Sequence, residues 1–486
     1  MKKFTFLPLL LLALPVSLSA QQAEVQYKIF WDNSIPYCYC LHQPDVQWYD
    51  HVWAEIVKPE GDQAWMQEWM YNYYDGKDIV IPSYVIDDED FDNPVTYPVY
   101  AIGRDAFKGL PMRSVNIPSG LHKINGNPFQ DCPNLVEFKG ECATKDGLCL
   151  IWGYREFWWD DVTQKILVAF ANAGAPDNYD LLLTRDNDNF DVLKDNNLLY
   201  IGKDSFRNAT KLKSITFKGN MYLRDNCFRG CTNLKKITEY SSFFDGYGVA
   251  RETYYDEDIF EYRSTSGFFK DCPNIEYFIL YDDINIWAGN ITLFNEQDMD
   301  HVPVLIAARE CFESICNDDF WKNAPCMLSI NIPEEIKIEN FHEPEAEKTA
   351  TVFANIEKGS EDFEIAWNFP TTEIISAEDT ETIGEKKLTA NKLGRADFSL
   401  TLRQKTSDAL LANVRKAPSQ YSPLTLSSTM KITTPTGINS IDADNQEVDA
   451  DAIYYSVNGM QVDKANLAPG IYIARGSKTG KKILVK

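Results

Sequence analysis

The feature that most constrains this chain is an internal repeat with a period of 22 residues. It relates Ile201, Phe206, Ala209, Leu212 and Ile215 to Leu223, Phe228, Cys231, Leu234 and Ile237. It also relates Ile102, Phe107 and Leu110 to Ile124, Phe129 and Cys132, with Leu135 and Phe138 completing that second unit. Phe269, Cys272, Ile275, Phe278 and Leu280 make a fifth unit, in which Ser264 stands at the opening aliphatic position. A coil this short cannot bury an apolar face alone, so successive coils must stack and place equivalent side chains in ladders through one continuous core. Ile215 and Phe217 alternate at period two, which predicts a short strand with both side chains inward. The phenylalanines fill the wide part of each coil, while Ala209, Cys132, Cys231 and Cys272 are small apolar fillers where the chain turns back. Recurring at one repeat position, these cysteines do not converge as metal ligands do.

Ile102-Gly103-Arg104-Asp105-Ala106-Phe107-Lys108-Gly109, followed by Val115-Asn116-Ile117-Pro118, resembles the BspA-like leucine-rich repeat. Ile201-Gly202 and Gly230-Cys231 fit the same pattern. Asp78-Ile79-Val80-Ile81-Pro82 and Tyr97-Pro98-Val99 are similar to the strands that open such arrays. Lys145-Asp146-Gly147-Leu148 and Lys165-Ile166-Leu167-Val168 resemble the hairpin that interrupts them, and Val302-Pro303 with Trp321-Lys322 resembles the closing cap. The resemblance implies a mainly β fold with short helical and turn segments, a leucine-rich-repeat solenoid with insertions and a C-terminal cap over residues 75–333. It further implies a surface protein that binds host matrix proteins or other bacteria.

The flanks read differently. Lys2 and Lys3 precede an apolar run from Phe4 to Val16 that ends in Ser17, Ser19 and Ala20, so residues 1–20 are expected to be a secretory signal peptide. Gln21 and Gln22 follow with no cysteine, so no lipid anchor is expected there. Residues 21–74, with Trp48, Tyr49, Trp53, Trp65 and Trp69, read as an N-terminal capping segment, because a solenoid end exposes its core unless covered. Residues 334–433 alternate at Phe363, Ile365 and Trp367 and from Ala396 to Leu402, which suits an antiparallel sheet. Trp367-Asn368, Ile375, Gly394 and the Ala396 strand resemble bacterial immunoglobulin-like β-sandwich modules, which act as spacers.

In residues 434–486, Tyr455-Ser456-Val457-Asn458-Gly459, Pro469-Gly470-Ile471-Tyr472-Ile473 and the basic end Lys481-Lys482-Ile483-Leu484-Val485-Lys486 resemble the C-terminal sorting domain of type IX secretion cargo. Met460 and Gln461 replace the arginines common after the turn glycine. This small β tail implies a partner in the outer-membrane secretion machinery and a place at the cell surface of a Gram-negative bacterium, or release from it.

A formal net charge of −25 excludes nucleic acid as a partner, since phosphate binding rests on Lys and Arg. The 11 cysteines are compatible with export, and Cys142 and Cys149, flanking the Asp146-Gly147 turn, are placed to face each other as a disulfide pair. No catalytic residue, cofactor or metal site is expected. His342-Glu343 is followed by Pro344, which breaks a helix, and Asp186 and Asp188 lack the bend glycine of a calcium loop. His42, His51, His122 and His301 are scattered, so a histidine metal site requires the fold to gather its ligands.

Insertions in a solenoid map to loops on one face, often the binding face. Two stand out. One carries Trp158 and Trp159 beside Asp160 and Asp161, and the other carries Phe243, Phe244, Tyr247, Tyr254 and Tyr255 among acidic residues. These seven aromatics are the candidate ligand-binding residues, because a rigid ring buries much area at little entropic cost. The expected partner is an extracellular protein, host matrix protein being the implied class. The alternative is a glycan captured for nutrition, with a polysaccharide-acting enzyme behind both.

Overall fold

The structure, a computed structural model, describes residues 26–485 apart from 45–49, 144–146, 158–159, 185–198, 219–220, 241–249, 257–260, 265–266, 282–301, 317–319, 342–347, 371–372, 406–420, 434–452, 457–460, 463–469, 476–479 and nine single positions. It is mainly β. Two units are described in turn, residues 1–133 and 134–486.

In the first unit, β1 (Lys28–Asp32), β2 (Ile35–His42) and β3 (Trp53–Ile56) form a meander, and β3 runs parallel to β6 (Val95–Ile102). β6 also takes β5 (Tyr84–Asp87) antiparallel, while β4 (Asp78–Val80) runs parallel to β7 (Ser114–Asn116). Ala101 and Ile102 pair with Lys123 and Ile124 of β8 (Lys123–Ile124), the 22-residue repeat realised as a parallel rung. Helix α1 (Trp65–Tyr74) buries Met70 and Tyr74, and the Tyr74 hydroxyl donates to the Pro36 carbonyl at 2.7 Å. Its other side chains Trp65, Tyr71 and Tyr73 stay exposed. The Tyr74 ring meets Tyr37 and Phe107, which places α1 over the first repeat ring of this unit.

The second unit opens with β9 (Glu137–Lys139) and a long hairpin of β10 (Leu148–Phe157) and β11 (Asp160–Phe170). Two parallel ladders follow. In the short ladder, β11, β13 (Leu199–Ile201), β15 (Met221–Leu223) and β17 (Ala250–Arg251) stack in order. In the long one, β12 (Tyr179–Thr184), β14 (Leu212–Lys218), β16 (Lys236–Tyr240), β20 (Tyr277–Leu280), β21 (Val304–Ala308) and β22 (Met327–Asn331) do so. Ile215 lies opposite Ile237 and Ile237 opposite Phe278, and all three are buried. The phenylalanine ladder is continuous: Phe170 to Phe206 at 5.3 Å, Phe206 to Phe228 at 4.7 Å and Phe228 to Phe269 at 5.4 Å between ring centroids. Trp321, fully buried, closes the array against Phe278 at 5.4 Å.

The turns around Phe206, Phe228 and Phe269 carry left-handed residues two before and two after the ring. Asp204 (φ 57°) and Asn208 (φ 58°) flank Phe206, Asn226 (φ 54°) and Gly230 (φ 74°) flank Phe228, and Gly267 (φ 66°) and Asp271 (φ 58°) flank Phe269. Only Gly, Asn and Asp occupy that region cheaply, which explains the residue types. Around Phe129 the pattern shifts by one, to Gly126 (φ 59°) and Asp131 (φ 57°), because Pro128 bars Asn127 from helical backbone. Amides of Phe206 and Asn208 donate to the carbonyls of Cys227 and Arg229, so the turns are stitched coil to coil. The repeat cysteines pack as fillers and also donate: Cys231 Sγ to Phe206 O at 3.2 Å, Cys272 Sγ to Phe228 O at 3.1 Å and, in the first unit, Cys132 Sγ to Phe107 O at 3.1 Å.

Two expectations are corrected. Cys142 does not stand opposite Cys149 across the ribbon, because the strand register sets Ala143 there. Ser264 does not open the fifth coil either: Arg251 pairs with Leu223, and Ser264 pairs with Thr253 in a separate hairpin, β18 (Thr253–Asp256) and β19 (Glu261–Ser264).

Beyond Pro333 the strands make two sheets. β24 (Thr349–Lys358) pairs antiparallel with β22, and β27 (Glu385–Ala390) and β26 (Ile375–Asp379) follow, so one sheet continues the long ladder. The other contains β23 (Glu335–Ile338), β29 (Leu424–Ile432), β28 (Gly394–Gln404) and β25 (Phe363–Asn368). Ile279, Ile306, Leu328 and Ile330 of the ladder share a buried cluster with Phe398, Leu400, Leu426 and Met430. The far end is a small antiparallel sheet of β30 (Ile453–Ser456), β31 (Gln461–Val462), β32 (Gly470–Arg475) and β33 (Gly480–Val485).

Candidate functional site

Parallel strands in register bring their C-terminal ends to one edge. Lys218 ends β14 and lies opposite Tyr240, which ends β16, and the Tyr281 amide just past β20 donates to Glu239 O at 3.0 Å. Since Ile215, Phe217 and Ile237 point into the core, Thr216, Lys218, Thr238 and Tyr240 face the other way. There they line a cleft of about 380 Å3 with Asp180, Lys236, Tyr281 and, from the facing sheet, Glu334 and Ser427.

The cleft is organised by one ladder of side chains. Tyr240 and Tyr281 stack with centroids 4.2 Å apart and planes 6° from parallel, and Lys218 Nζ sits 4.9 Å over the Tyr240 ring. The same ammonium donates to both Glu334 carboxylate oxygens at 2.6 and 2.7 Å. Burial, then the neighbouring Tyr281 and Glu334, hold the Tyr240 hydroxyl well above its usual pKa. Ser214 donates to Asp180 at 2.5 Å. Lys236 also lines the cleft and makes no ion pair among the described residues.

Tyr281 stacks on Tyr240 and Lys218 sits over the same ring, so that ring is no open platform for a sugar. Glu334 has both oxygens on Lys218.

Of the residues expected to bind ligand, Trp158, Trp159, Phe243, Phe244 and Tyr247 lie outside the described residues. Tyr254 and Tyr255 are brought together on β18, opposite Arg263 and Tyr262. The segment bearing Phe243, Phe244 and Tyr247 follows directly on Tyr240 of the cleft. Sequence reasoning did not find Lys218, Tyr240 or Tyr281 as a set. Their signal was available: an aromatic or long cationic residue three positions after the inward Ile215, Ile237 and Phe278.

A second aromatic group lies in the first unit. Trp31, Trp69 and Tyr73 meet edge to face or tilted, with centroids 5.1 to 5.5 Å apart, and Trp31 is 47% exposed.

Comparison with known families rests on the coils themselves. Residues 81–144 and 189–250 match the BspA type leucine rich repeat region, in 6 copies. Both matched stretches carry the ring-centred turns described above. No curated protein matches the chain. The crystal structure of the pneumococcal vaccine antigen PcpA aligns with 61% of this chain and 96% of its own at 8% identity, with a TM-score of 0.18. Among the described residues, no helix is long and apolar enough to cross a membrane.

Proposed function

We propose that this chain is an extracellular, surface-associated recognition protein that binds a protein partner, with host matrix proteins the first class to test. One observation carries the reading. Phe206 and Phe228 are 22 residues apart and Phe228 and Phe269 are 41, yet the rings still stack, so the extra chain is not needed by the core. Pairing of Arg251 with Leu223 divides the excess into six residues before β17 and thirteen after it, and the thirteen hold the β18–β19 hairpin. A hairpin added to one coil without breaking the ring ladder is the kind of insertion that serves as a binding element. The cleft beside Tyr240, lined by Thr216, Lys236 and Thr238, supplies the polar contacts that fix orientation. BspA-type repeats, often found in surface protein–protein interaction, support the same class.

On this reading the signal peptide and the sorting-like tail export the chain through an outer membrane, and the immunoglobulin-like strands are a rigid spacer. Glycan capture is the second reading, favoured by the exposed Trp31 and Tyr73 and the half-buried Trp69 between them, whose rings are the kind that stack on sugars. The test is binding of the full chain to immobilised matrix proteins and a glycan array side by side. Saturable binding to a protein is expected. Binding to glycans alone, lost in Trp31→Ala, overturns the protein reading in favour of the second.

A further inference from the structure

Strand pairing in the first unit gathers three metal-ligating side chains that lie apart in sequence. Cys40 lies opposite Glu55, and His42 opposite Trp53, across the antiparallel β2–β3 pair. Residues two apart share a face of a strand, so Cys40, His42, Trp53 and Glu55 all project from one side. Cys40 Sγ is 3.6 Å from His42 Nε2, which is 2.7 Å from Glu55 Oε2, and one ligand atom from each of the three lies within 4.8 Å of the others. We propose that Cys40, His42 and Glu55 form a zinc-binding site.

The donor set is the borderline nitrogen, sulfur and oxygen combination that zinc takes. Bond lengths of about 2.3 Å to sulfur and 2.0 to 2.1 Å to nitrogen set the two donors ~3.6 Å apart at a tetrahedral ion, and oxygen and nitrogen ~3.3 Å apart. The sulfur–nitrogen distance is thus already right, and the carboxylate must withdraw from the imidazole by about half an ångström, roughly one small torsional adjustment of a Glu side chain. Gly103 leaves room for that movement, since a Cβ there would lie 3.0 Å from Glu55 Oε1. Trp53 stacks on His42 with centroids 4.2 Å apart and planes 12° from parallel, which fixes the imidazole plane. Cys40 is buried and the Glu55 side chain is 12% exposed, but the His42 side chain is 39% exposed, so the site opens to solvent on one side. Three protein ligands and an open fourth position describe a site that holds a water or a donor from a partner.

Without metal, burial pushes the Cys40 thiol up to about 12. Binding replaces the S–H bond with a zinc–sulfur bond and releases that proton to water. Affinity therefore rises with pH. The spacing Cys-x-His with Glu thirteen residues on matches no ligand pattern legible in sequence, because it is set by strand pairing.

The test titrates the full chain, freed of metal with a chelator, with zinc and separately with cobalt(II). The expected result is one equivalent bound, a thiolate-to-cobalt charge-transfer band in the near ultraviolet, and a zinc-dependent rise in the unfolding midpoint. Cys40→Ser removes the band and weakens zinc binding by at least about tenfold, the lower end of what losing even an outer partner of a metal ligand costs. Cys38→Ser keeps both, which separates ligand loss from damage to the strand. A wild-type chain that is folded but shows no thiolate band overturns the site, and so does a band that survives Cys40→Ser.

Discussion

Phe228→Ala tests the continuity of the ladder. The ring is fully buried and has three aromatic neighbours: Phe206 stacked at 4.7 Å, Phe269 stacked at 5.4 Å and Phe217 edge-on at 5.9 Å. Removing a buried phenylalanine costs about 3 to 5 kcal/mol, partly lost transfer energy and partly the cavity left behind. Aromatic pairs add roughly 0.5 to 1.5 kcal/mol each beyond area, so a ring with three of them belongs at the upper end. The neighbours cannot collapse into the gap, because their turns are fixed coil to coil by the Phe206-to-Cys227 and Phe228-to-Phe268 amide bonds. Denaturant unfolding of the full chain, followed by tryptophan fluorescence and circular dichroism, gives the loss in free energy. A loss of about 4 to 5 kcal/mol is expected. A loss under about 1 kcal/mol, the level of an ordinary surface substitution, would refute the view that one core runs through these coils.

Other outcomes follow from single features. Asn226→Ala removes the short polar side chain that makes φ 54° tolerable and is expected to cost about 1 to 2 kcal/mol, while Asn226→Gly costs little or stabilises; equal effects in the same unfolding assay would remove the left-handed explanation of the turn residues. Deleting residues 252–264 joins Arg251 to Thr265 and puts Gly267 where Asn226 stands in the preceding coil, so the unfolding midpoint should stay within the range of a surface change. Burial pushes the Cys326 thiol up to about 12, whereas an unfolded thiol titrates near ~8.5. The folded state thus keeps its proton longer, the stability this group contributes is whole below about pH 8.5, and it drains away as pH rises towards 12. Unfolding between about pH 9 and 11 should show that slope, and Cys326→Ala should flatten it.

The coils were legible because one bulky side chain recurs at one spacing: Phe107 and Phe129, then Phe206 and Phe228, announce stacked rings before any strand is drawn. The left-handed positions were equally legible as Asp, Asn or Gly two residues either side of each ring, with Pro128 explaining the single shift to Gly126. What sequence could not supply was pairing. Ala250-Arg251 carries no aliphatic pattern, so only the rung with Leu223 shows that the fifth coil opens there and not at Ser264. The antiparallel join of β22 to β24 likewise arises between segments with no shared periodicity, and it is what extends the ladder into a sheet beyond Pro333. The cleft fell between these cases: Lys218 and Tyr240 are repeat equivalents, but Glu334 reaches them only through the folded chain. The aromatic insertion was visible as a break in the period, and its division by β17, with a hairpin after that strand, was not.

The most direct test of the account compares the full chain with the chain lacking residues 252–264 for saturation binding to immobilised collagen, fibronectin and laminin, each chain checked for matching circular dichroism. The account predicts saturable binding by the full chain to at least one of these proteins, lost in the shortened chain at an unchanged unfolding midpoint. Equal binding by both chains would contradict it, because the hairpin would then be neither core nor recognition element.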